Sequence, residues 1–403
     1  MGGGGADRGM LEPGKPKLIQ KIKDEIRQKG RMTFARFMEI ALYDPEDGYY
    51  TASADRIGLG GDYYTSPDVH PIFGRLLAKQ IRQMASMLPQ DRPFMILEMG
   101  AGKGLLCRDI LTALKDESQE NLKRFRYIVI ERSPAMVAQQ KERLRSAGLA
   151  DRVVWFSGFN EAAADGPLIG CVLSNEFVDA LPVHRVIGTK TGLDEIYVDL
   201  KDDRFVESAD DPSTPELAAY FDGLKIHLSE GQRAEVNLEA AHWMREVGRS
   251  LGRGFVITID YGHAAPELFA PHRKKGSLLC YFRHTVHEDP YARVGEQDIT
   301  AHVDFTRLAQ AGAEAGLSVT GFTNQLNFLM GLGIAQEMER FDPESPEILS
   351  AKRLLARESM GGVFKVLIQH KDLMPSPLEG LSFRPYFKDV LVHGSPRTTE
   401  YGT

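Results

Sequence analysis

The chain has 403 residues, a length that predicts two or three compact units rather than one small module. Hydrophobic residues make up 42% and charged residues 26% of the sequence, which excludes collagen-like, low-complexity and wholly disordered chains. The formal net charge of −7 differs from the overall basic charge of most nucleic-acid-binding proteins, so no nucleic-acid partner is expected.

Three cysteines, Cys107, Cys171 and Cys280, are too few and too far apart for a disulfide framework or a Cys-x-x-Cys metal motif. We therefore expect a reducing compartment and no metal site. No apolar run approaches the ~18 residues needed to span a bilayer, and the N-terminus lacks the apolar centre of a signal peptide. These features predict a cytoplasmic protein that does not insert into membranes.

The first 70 residues predict two helices and an unusual loop. Residues 1–16 are rich in glycine and proline, and we expect them to be frayed. The segment 17–70 begins with helical patterns, and its part between 47 and 67 is rich in glycine and contains four tyrosines. Linkers seldom carry so many tyrosines, so this part is predicted to be an ordered loop. The next segment, 73–88, has apolar residues at three- and four-residue steps and predicts a helix with one buried face.

Residues 71–374 alternate short apolar runs with helical segments, which is typical of a parallel β-sheet with helices between its strands. The predicted strands are 94–97, 127–130, 153–156, 169–173, 255–259, 317–322 and 363–370. About 80 residues separate the fourth strand from the fifth, too many for a simple crossover. Residues 183–252 are therefore predicted to form an inserted strand and helix subdomain over the sheet edge where ligands bind. The tail, 375–403, is predicted to lie on the surface.

The most informative motif is the glycine-rich turn after the first predicted strand of this domain. Gly100, Gly102 and Gly104 alternate there, and Glu98 precedes them. Glycines let a backbone turn sharply and approach a ligand, and the following helix presents free N–H groups. The spacing matches neither a phosphate-binding loop nor the Gly-x-Gly-x-x-Gly pattern, so a nicotinamide-dependent dehydrogenase is disfavoured. Glu98 would repel phosphate and attract an ammonium group, although a tight turn without a ligand is the alternative.

Glu131 follows the second strand of the domain and is well placed to accept hydrogen bonds from both hydroxyls of a ribose. A solvated charge or a helix cap is the alternative for this residue. With the glycine turn, it indicates a ligand that has an adenosine and a cationic amino-acid end but no phosphate, which is S-adenosylmethionine. Beyond the third strand, Phe159 is expected to stack on the adenine and Asn160 to bond its edge, unless Phe159 only fills the core.

Polar residues at the end of the fourth strand are the candidates for catalysis. Glu176 and Asp179 are three residues apart, so one helical turn would place both carboxylates on the same side. Such a pair suits an arginine acceptor, because a guanidinium must be gripped by carboxylates and relieved of a proton as it attacks. Asp260 ends the fifth strand and is also expected to hold the acceptor, while Asn175 is assigned to the cofactor site. For the three acids, the alternative is that they cap the loop or the next turn.

Further motifs lie at 43–50, 61–67, 175–182, 259–262 and 298–304. Together with the glycine turn, they make the sequence resemble the MidA-type family of class I S-adenosylmethionine-dependent methyltransferases, over about residues 31–370. In the glycine turn the chain departs from the family pattern at Met99 and Lys103, and neither change removes a glycine or the acid.

This resemblance implies a class I methyltransferase fold, in which a mostly parallel seven-stranded sheet has helices on both faces. It also implies a lid over the cofactor, built from the segment 17–70, and an arginine acceptor on a partner protein. The family's mitochondrial members are protein arginine methyltransferases that act during assembly of respiratory complex I. A non-catalytic S-adenosylmethionine-binding assembly factor and a small-molecule methyltransferase are the alternatives. The oligomeric state is left open, with a homodimer as one possibility.

Overall fold

The computed structural model describes residues 14–51, 62, 65–164, 166–374, 376–383 and 391. The N-terminus that is predicted to be frayed lies outside the described residues except for its last three. Most of the Gly/Tyr-rich loop between 51 and 65 and most of the predicted surface tail also lie outside them.

Helices begin at residues suited to that position. Ser133, for example, accepts a hydrogen bond from the Met136 N–H, and Pro134 follows it as the first residue of its helix. The α-helices are α1 (Pro16–Lys29), α2 (Phe34–Tyr43), α3 (Ser66–Val69), α4 (Ile72–Ser86), α5 (Leu105–Glu117), α6 (Gln119–Arg124), α7 (Pro134–Ser146), α8 (Phe159–Ala162), α9 (Glu216–Leu224), α10 (Leu238–Ser250), α11 (Ala265–Leu268), α12 (Phe305–Glu314), α13 (Gln325–Gly331), α14 (Ile334–Met338), α15 (Pro346–Arg353) and α16 (Met360–Val363). Short 3₁₀ turns span Ala150–Arg152 and Glu379–Leu381. Within the described ranges, none of these helices combines the length and the apolar character that a membrane span requires.

The strands divide between a central sheet, whose strands are largely buried, and smaller sheets above it. They are β1 (Met32–Thr33), β2 (Phe94–Met99), β3 (Phe125–Ile130), β4 (Val153–Phe156), β5 (Leu168–Asn175), β6 (His184–Gly188), β7 (Leu193–Lys201), β8 (Arg204–Asp210), β9 (Arg233–Val236), β10 (Leu251–His263), β11 (Leu279–Phe282), β12 (Thr285–His287), β13 (Asp298–Thr300), β14 (Val303–Asp304), β15 (Ser318–Asn324) and β16 (Phe364–Lys371).

The central sheet has the strand order β15-β16-β10-β5-β2-β3-β4, with the short strand β14 paired to β10. Neighbours from β10 to β4 run parallel, whereas β16 is antiparallel to both β10 and β15. The predicted α/β fold is therefore confirmed, with a mixed sheet. The seven predicted strands form this order, and within the described residues β14 adds an eighth strand, whose two residues carry no strand pattern of their own.

Helices cover both faces of this sheet and bury its apolar surfaces. On one face α4 and α5 pack together, and Phe73 and Leu77 of α4 are fully buried. The predicted apolar stripe of this helix is thus confirmed. On the other face α10 and α12 pack around Met244 and Leu308. Helix α10 lies within the predicted insertion in the sequence, yet it belongs to this layer in space.

A second sheet joins the N-terminal segment to the insertion. Its order is β1-β7-β6-β9, with β8 paired to β7, so β1 extends a sheet made of inserted strands. Helices α1 and α2 pack beside it around Phe34, Phe37 and Leu42. The sequence did not predict this pairing, because β1 has only two residues. We call this assembly the N-terminal layer; it faces the carboxyl ends of β2, β3 and β5 across a cavity.

The described end of the chain packs against the central domain. Leu378 is buried, and the Gly380 N–H donates a hydrogen bond to Gln80 Oε1 at 2.9 Å. The part of the predicted tail that the structure describes therefore makes specific contacts with α4.

Candidate active site

A cavity of about 1100 Å³ lies between the N-terminal layer and the carboxyl ends of β2, β3 and β5. Its other walls come from the loop after β5 (residues 176–182) and from α10. Most of the predicted site residues line it: Glu98, Gly100, Gly102, Glu131, Phe159, Asn175 and Glu176. Gly104, Asp179 and Asp260 do not line it, and the side chain of Asn160 lies outside what the structure describes.

The glycine-rich turn adopts a backbone that other residues rarely reach. Gly100, Gly102 and Gly104 have φ angles of 61°, 49° and 73°, all in the left-handed region. A Cβ on Gly100 would approach Phe177 Cδ2 to 3.0 Å, so a side chain there would also crowd the loop after β5. Gly104 immediately precedes α5 and is the N-cap residue of that helix. The turn therefore presents its backbone to the cavity at Gly100 and Gly102.

Glu98 places a buried carboxyl group at the cavity wall. The residue is 3% exposed, and its Oε2 accepts a hydrogen bond from the Tyr127 hydroxyl at 2.8 Å. Burial raises the pKa of Glu98 to about 7, while the bond from Tyr127 opposes that rise. A cationic ligand group at this wall would favour the charged carboxylate, which is the chemistry that the sequence predicts for an ammonium group.

Two hydrogen-bond donors fix the carboxyl group of Glu131, one at each oxygen. Its Oε1 accepts a hydrogen bond from the Ser133 N–H at 2.9 Å, and its Oε2 accepts one from Gln140 Nε2 at 3.3 Å. Gln140 is fully buried and also donates to the Gly102 carbonyl at 2.7 Å. These bonds fix the glycine turn and the candidate ribose-binding acid relative to each other.

Gln140 is a site residue that the sequence analysis missed. It accepts a hydrogen bond from Trp155 Nε1 at 2.9 Å, which links the site to β4. Met136, Gln140 and Leu144 are the buried residues of α7 and are spaced four apart. The sequence therefore did contain a signal for Gln140, which is a polar residue in the middle of a buried helical stripe. Such a residue indicates a site because a buried amide needs hydrogen-bond partners.

Glu176 stands in a strained backbone at the end of β5. Its φ of 51° lies in the left-handed region, which is uncommon for a residue with a side chain and is typical of functional sites. Its Oε1 accepts hydrogen bonds from the Ser66 N–H at 3.0 Å and from Asn175 Nδ2 at 3.1 Å. Burial raises the pKa of Glu176 to about 8, and the nearby charge of Asp179 adds to the rise. A cation in the cavity would also stabilise the charged form of this carboxyl group.

The structure separates Glu176 from Asp179. Glu176 lines the cavity, whereas Asp179 is buried beneath the loop, so the two carboxyl groups do not share the cavity face. The left-handed φ of Glu176 prevents the helical turn on which the expectation of a shared face depends. Burial raises the pKa of Asp179 to about 6.

Asp260 supports the loop after β5 from behind. It is fully buried, and its Oδ2 accepts hydrogen bonds from the backbone N–H groups of Phe177, Val178 and Asp179 at 3.2, 2.9 and 3.3 Å. Because these groups surround the carboxylate and it does not line the cavity, the structure gives Asp260 the capping role instead of contact with the acceptor.

One buried oxygen atom beside Glu176 has no hydrogen-bond partner among the described residues. It is Asn175 Oδ1. An unpaired buried acceptor costs about 1–3 kcal/mol, so a ligand that donates N–H groups would be favoured here. Asn175 lines the cavity, where such a ligand would bind.

Residues 76–323 match a family described as S-adenosyl-L-methionine-dependent methyltransferase. A solved structure of a COG1565 superfamily member from Burkholderia thailandensis, with bound S-adenosyl-homocysteine, is similar to this chain with a TM-score of 0.84 and 31% identity. The match covers 92% of this chain and 95% of that one. The predicted family and the predicted cofactor, S-adenosylmethionine, are confirmed.

Curated relatives match over most of the chain at lower identity. The protein arginine methyltransferase NDUFAF7 homolog of Drosophila melanogaster is 25% identical over 91% of this chain and 88% of its own length. The human protein arginine methyltransferase NDUFAF7 is 25% identical over 89% of this chain and 80% of its own length. Both are named as mitochondrial proteins, so they give no support to the predicted cytoplasmic location, which stays a prediction.

Replacing Glu131 removes a carboxylate that faces the cavity. We expect Glu131→Ala to weaken binding of S-adenosyl-homocysteine by about 1–3 kcal/mol, because charge-assisted hydrogen bonds to the ribose are lost. Isothermal titration calorimetry measures the change. Glu142→Ala removes an exposed carboxylate from α7 and serves as the control, with wild-type affinity expected. Equal affinity of Glu131→Ala and the wild type would contradict the ribose assignment.

The raised pKa of Glu176 predicts a pH-dependent stability. The folded protein keeps a proton up to about pH 8 that the unfolded chain releases at the ordinary pKa of 4.5. The stability from this group is therefore full below pH 4.5 and is lost as the pH rises to about 8, at up to about 1.4 kcal/mol per pH unit. Glu176→Gln cannot ionise, so its unfolding free energy should rise relative to the wild type across this range.

Denaturant unfolding at a series of pH values measures this difference. Glu120→Gln, which changes an exposed carboxylate, is the control and should follow the wild type at every pH. A constant difference between Glu176→Gln and the wild type at all pH values would show that the pKa of Glu176 is not raised.

Proposed function

The chain belongs to the family of S-adenosyl-L-methionine-dependent methyltransferases, and from this premise we propose that it methylates an arginine nitrogen of a partner protein. The observation that carries the proposal is the cavity wall at Glu176, where a buried carboxyl group lies beside the unpaired oxygen of Asn175. A guanidinium group carries a positive charge, which suits the carboxyl group of Glu176. It also has several N–H donors in one plane, which suit the unpaired oxygen of Asn175. The relatives that are named protein arginine methyltransferases support the same acceptor.

We assign the part of the cavity at the ends of β2, β3 and β4 to the cofactor. Glu98 would bind its ammonium group, Glu131 its ribose hydroxyls and Phe159 its adenine. The raised pKa of Glu98 supports the first assignment, because a cation at that wall restores the charge of the carboxylate. When bound, the cofactor supplies an electrophilic methyl group on a sulfonium.

Glu176 has two tasks in methyl transfer. Its carboxylate accepts N–H bonds from the guanidinium and orients the attacking nitrogen. The attacking nitrogen would gain a bond to the methyl carbon as the bond from that carbon to the sulfonium sulfur breaks with its electron pair left on sulfur, and it would pass one proton to Glu176. Positive charge from the acceptor and the cofactor would favour the ionised form of Glu176, which is the form that can accept the proton.

Two other residues position Glu176 without contact to the acceptor. Asp260 accepts hydrogen bonds from three backbone N–H groups of the loop after β5. The Ser66 N–H donates a hydrogen bond to Glu176 Oε1. These bonds keep the left-handed backbone of Glu176 in place and aim its carboxyl group at the cavity.

Three further points concern the partner protein, the compartment in which the reaction occurs and the segment that forms the lid. We infer that the acceptor belongs to a respiratory complex I subunit or a similar protein, and that the reaction occurs in the cytoplasm. We also infer that the segment 17–70 acts as the lid, since α2 lines the cavity. The alternatives are a non-catalytic S-adenosylmethionine-binding assembly factor and a small-molecule methyltransferase.

Mass spectrometry of partner proteins tests the acceptor. Partners are captured from cells that lack the protein and from the same cells that carry the wild type, Glu176→Gln or Gly102→Val. We expect one or two methyl groups on a partner arginine with the wild type and none with either variant. Glu176→Gln should still bind S-adenosyl-homocysteine, whereas Gly102→Val should lose it, because the φ of 49° at Gly102 strains any residue with a side chain.

The outcomes separate the alternatives. Unchanged arginine methylation in cells that lack the protein would contradict the proposed acceptor and leave a small-molecule methyltransferase. Cells in which Glu176→Gln restores function, but Gly102→Val does not, would indicate a non-catalytic cofactor-binding factor.

A further inference from the structure

Two tyrosines of the N-terminal layer form a stacked aromatic pair at the cavity. The rings of Tyr43 and Tyr50 are stacked, with centroids 5.5 Å apart and planes inclined by 25°. Both residues line the same cavity as Glu176. Neither tyrosine is among the residues that are predicted to bind the cofactor, so the pair is a candidate for contact with the acceptor. We call the pair the aromatic wall.

A compact turn at the end of α2 brings the two rings together. The helix ends at Tyr43, and Asp44 then accepts a hydrogen bond from the Gly48 N–H at 2.9 Å through its backbone carbonyl. The Tyr50 N–H donates a hydrogen bond to the Leu42 carbonyl at 2.9 Å. The chain thus doubles back on the helix, and residues seven apart in sequence become neighbours in space.

The hydroxyl groups of the aromatic wall are bound to the protein. Tyr43 donates to the Ala180 carbonyl at 2.9 Å, which joins the wall to the loop after β5. Tyr50 donates to Asp298 Oδ1 at 2.8 Å, and Asp298 is 2% exposed. With both hydroxyls anchored, the rings are fixed in orientation.

A rigid aromatic surface beside a carboxylate distinguishes between cations. A guanidinium is planar and weakly hydrated, and it stacks on aromatic faces, whereas an ammonium is compact and strongly hydrated. Glu176 and the aromatic wall line the same cavity, and the bond from Tyr43 to Ala180 places the wall beside the loop that begins at Glu176. We propose that Tyr43 and Tyr50 are specificity residues that select an arginine side chain over lysine. The proposal rests on the proposed function, because it assumes that the cavity takes a cationic side chain of a protein.

Peptide binding to the protein saturated with S-adenosyl-homocysteine tests this selection. The probes are a pentapeptide with one central arginine between glycines and the same peptide with lysine, and calorimetry measures both affinities. We expect the wild type to bind the arginine peptide about tenfold more tightly than the lysine peptide. Tyr50→Leu and Tyr43→Leu should lose this preference, while Tyr50→Phe keeps the ring and most of the preference.

Two controls show whether a variant is folded. Affinity for S-adenosyl-homocysteine should be unchanged in all variants. Tyr291→Leu removes a ring that packs on Phe37 and does not line the cavity, and it should keep the preference for arginine.

The outcomes distinguish this inference from the proposed function. If the wild type prefers the arginine peptide and Tyr43→Leu and Tyr50→Leu prefer it equally, the aromatic wall does not select the acceptor, although the proposed function stands. If the wild type binds S-adenosyl-homocysteine but shows no preference for the arginine peptide, both the inference and the arginine acceptor fail.

Discussion

Burial of acidic side chains at the carboxyl edge of the central sheet is the constraint on which the site depends. A buried carboxylate is costly unless hydrogen bonds or a cation stabilise its charge. Asp260 accepts hydrogen bonds from three backbone N–H groups, which oppose the large rise of its pKa that burial and the charges of Asp179 and Glu176 cause, and these bonds support the loop after β5. Glu98 and Glu176 line the cavity, and burial raises their pKa values to about 7 and about 8. A positively charged ligand in the cavity would stabilise their ionised forms.

The same constraint accounts for the chemistry that we propose. A sulfonium cofactor and a guanidinium both carry positive charge, and bringing them together in a cavity costs Coulomb energy. The carboxyl groups of Glu98, Glu131 and Glu176 in the cavity lining offset that cost. The N-terminal layer forms one wall of the cavity, and the lid role that we propose for it would limit the access of water to these interactions.

Local sequence patterns predicted the α/β fold, the helix at α4 and the glycine turn, because each depends on residues close together in the chain. Contacts between distant segments were not predictable. Tyr50 meets Asp298 across 248 residues, and β1 pairs with an inserted strand although it has only two residues. The capping role of Asp260 was an alternative that residue spacing could not decide, since it depends on where the loop after β5 folds in space. Gln140 was missed because its partners come from three separate strand ends.

The most direct test of this account is a crystal structure of the protein with S-adenosyl-homocysteine and the arginine pentapeptide. The account predicts the ammonium group at Glu98, the ribose hydroxyls at Glu131 and the guanidinium within hydrogen-bond distance of Glu176 and Asn175 Oδ1. A guanidinium bound outside the cavity, or S-adenosyl-homocysteine placed away from the glycine turn, would contradict it.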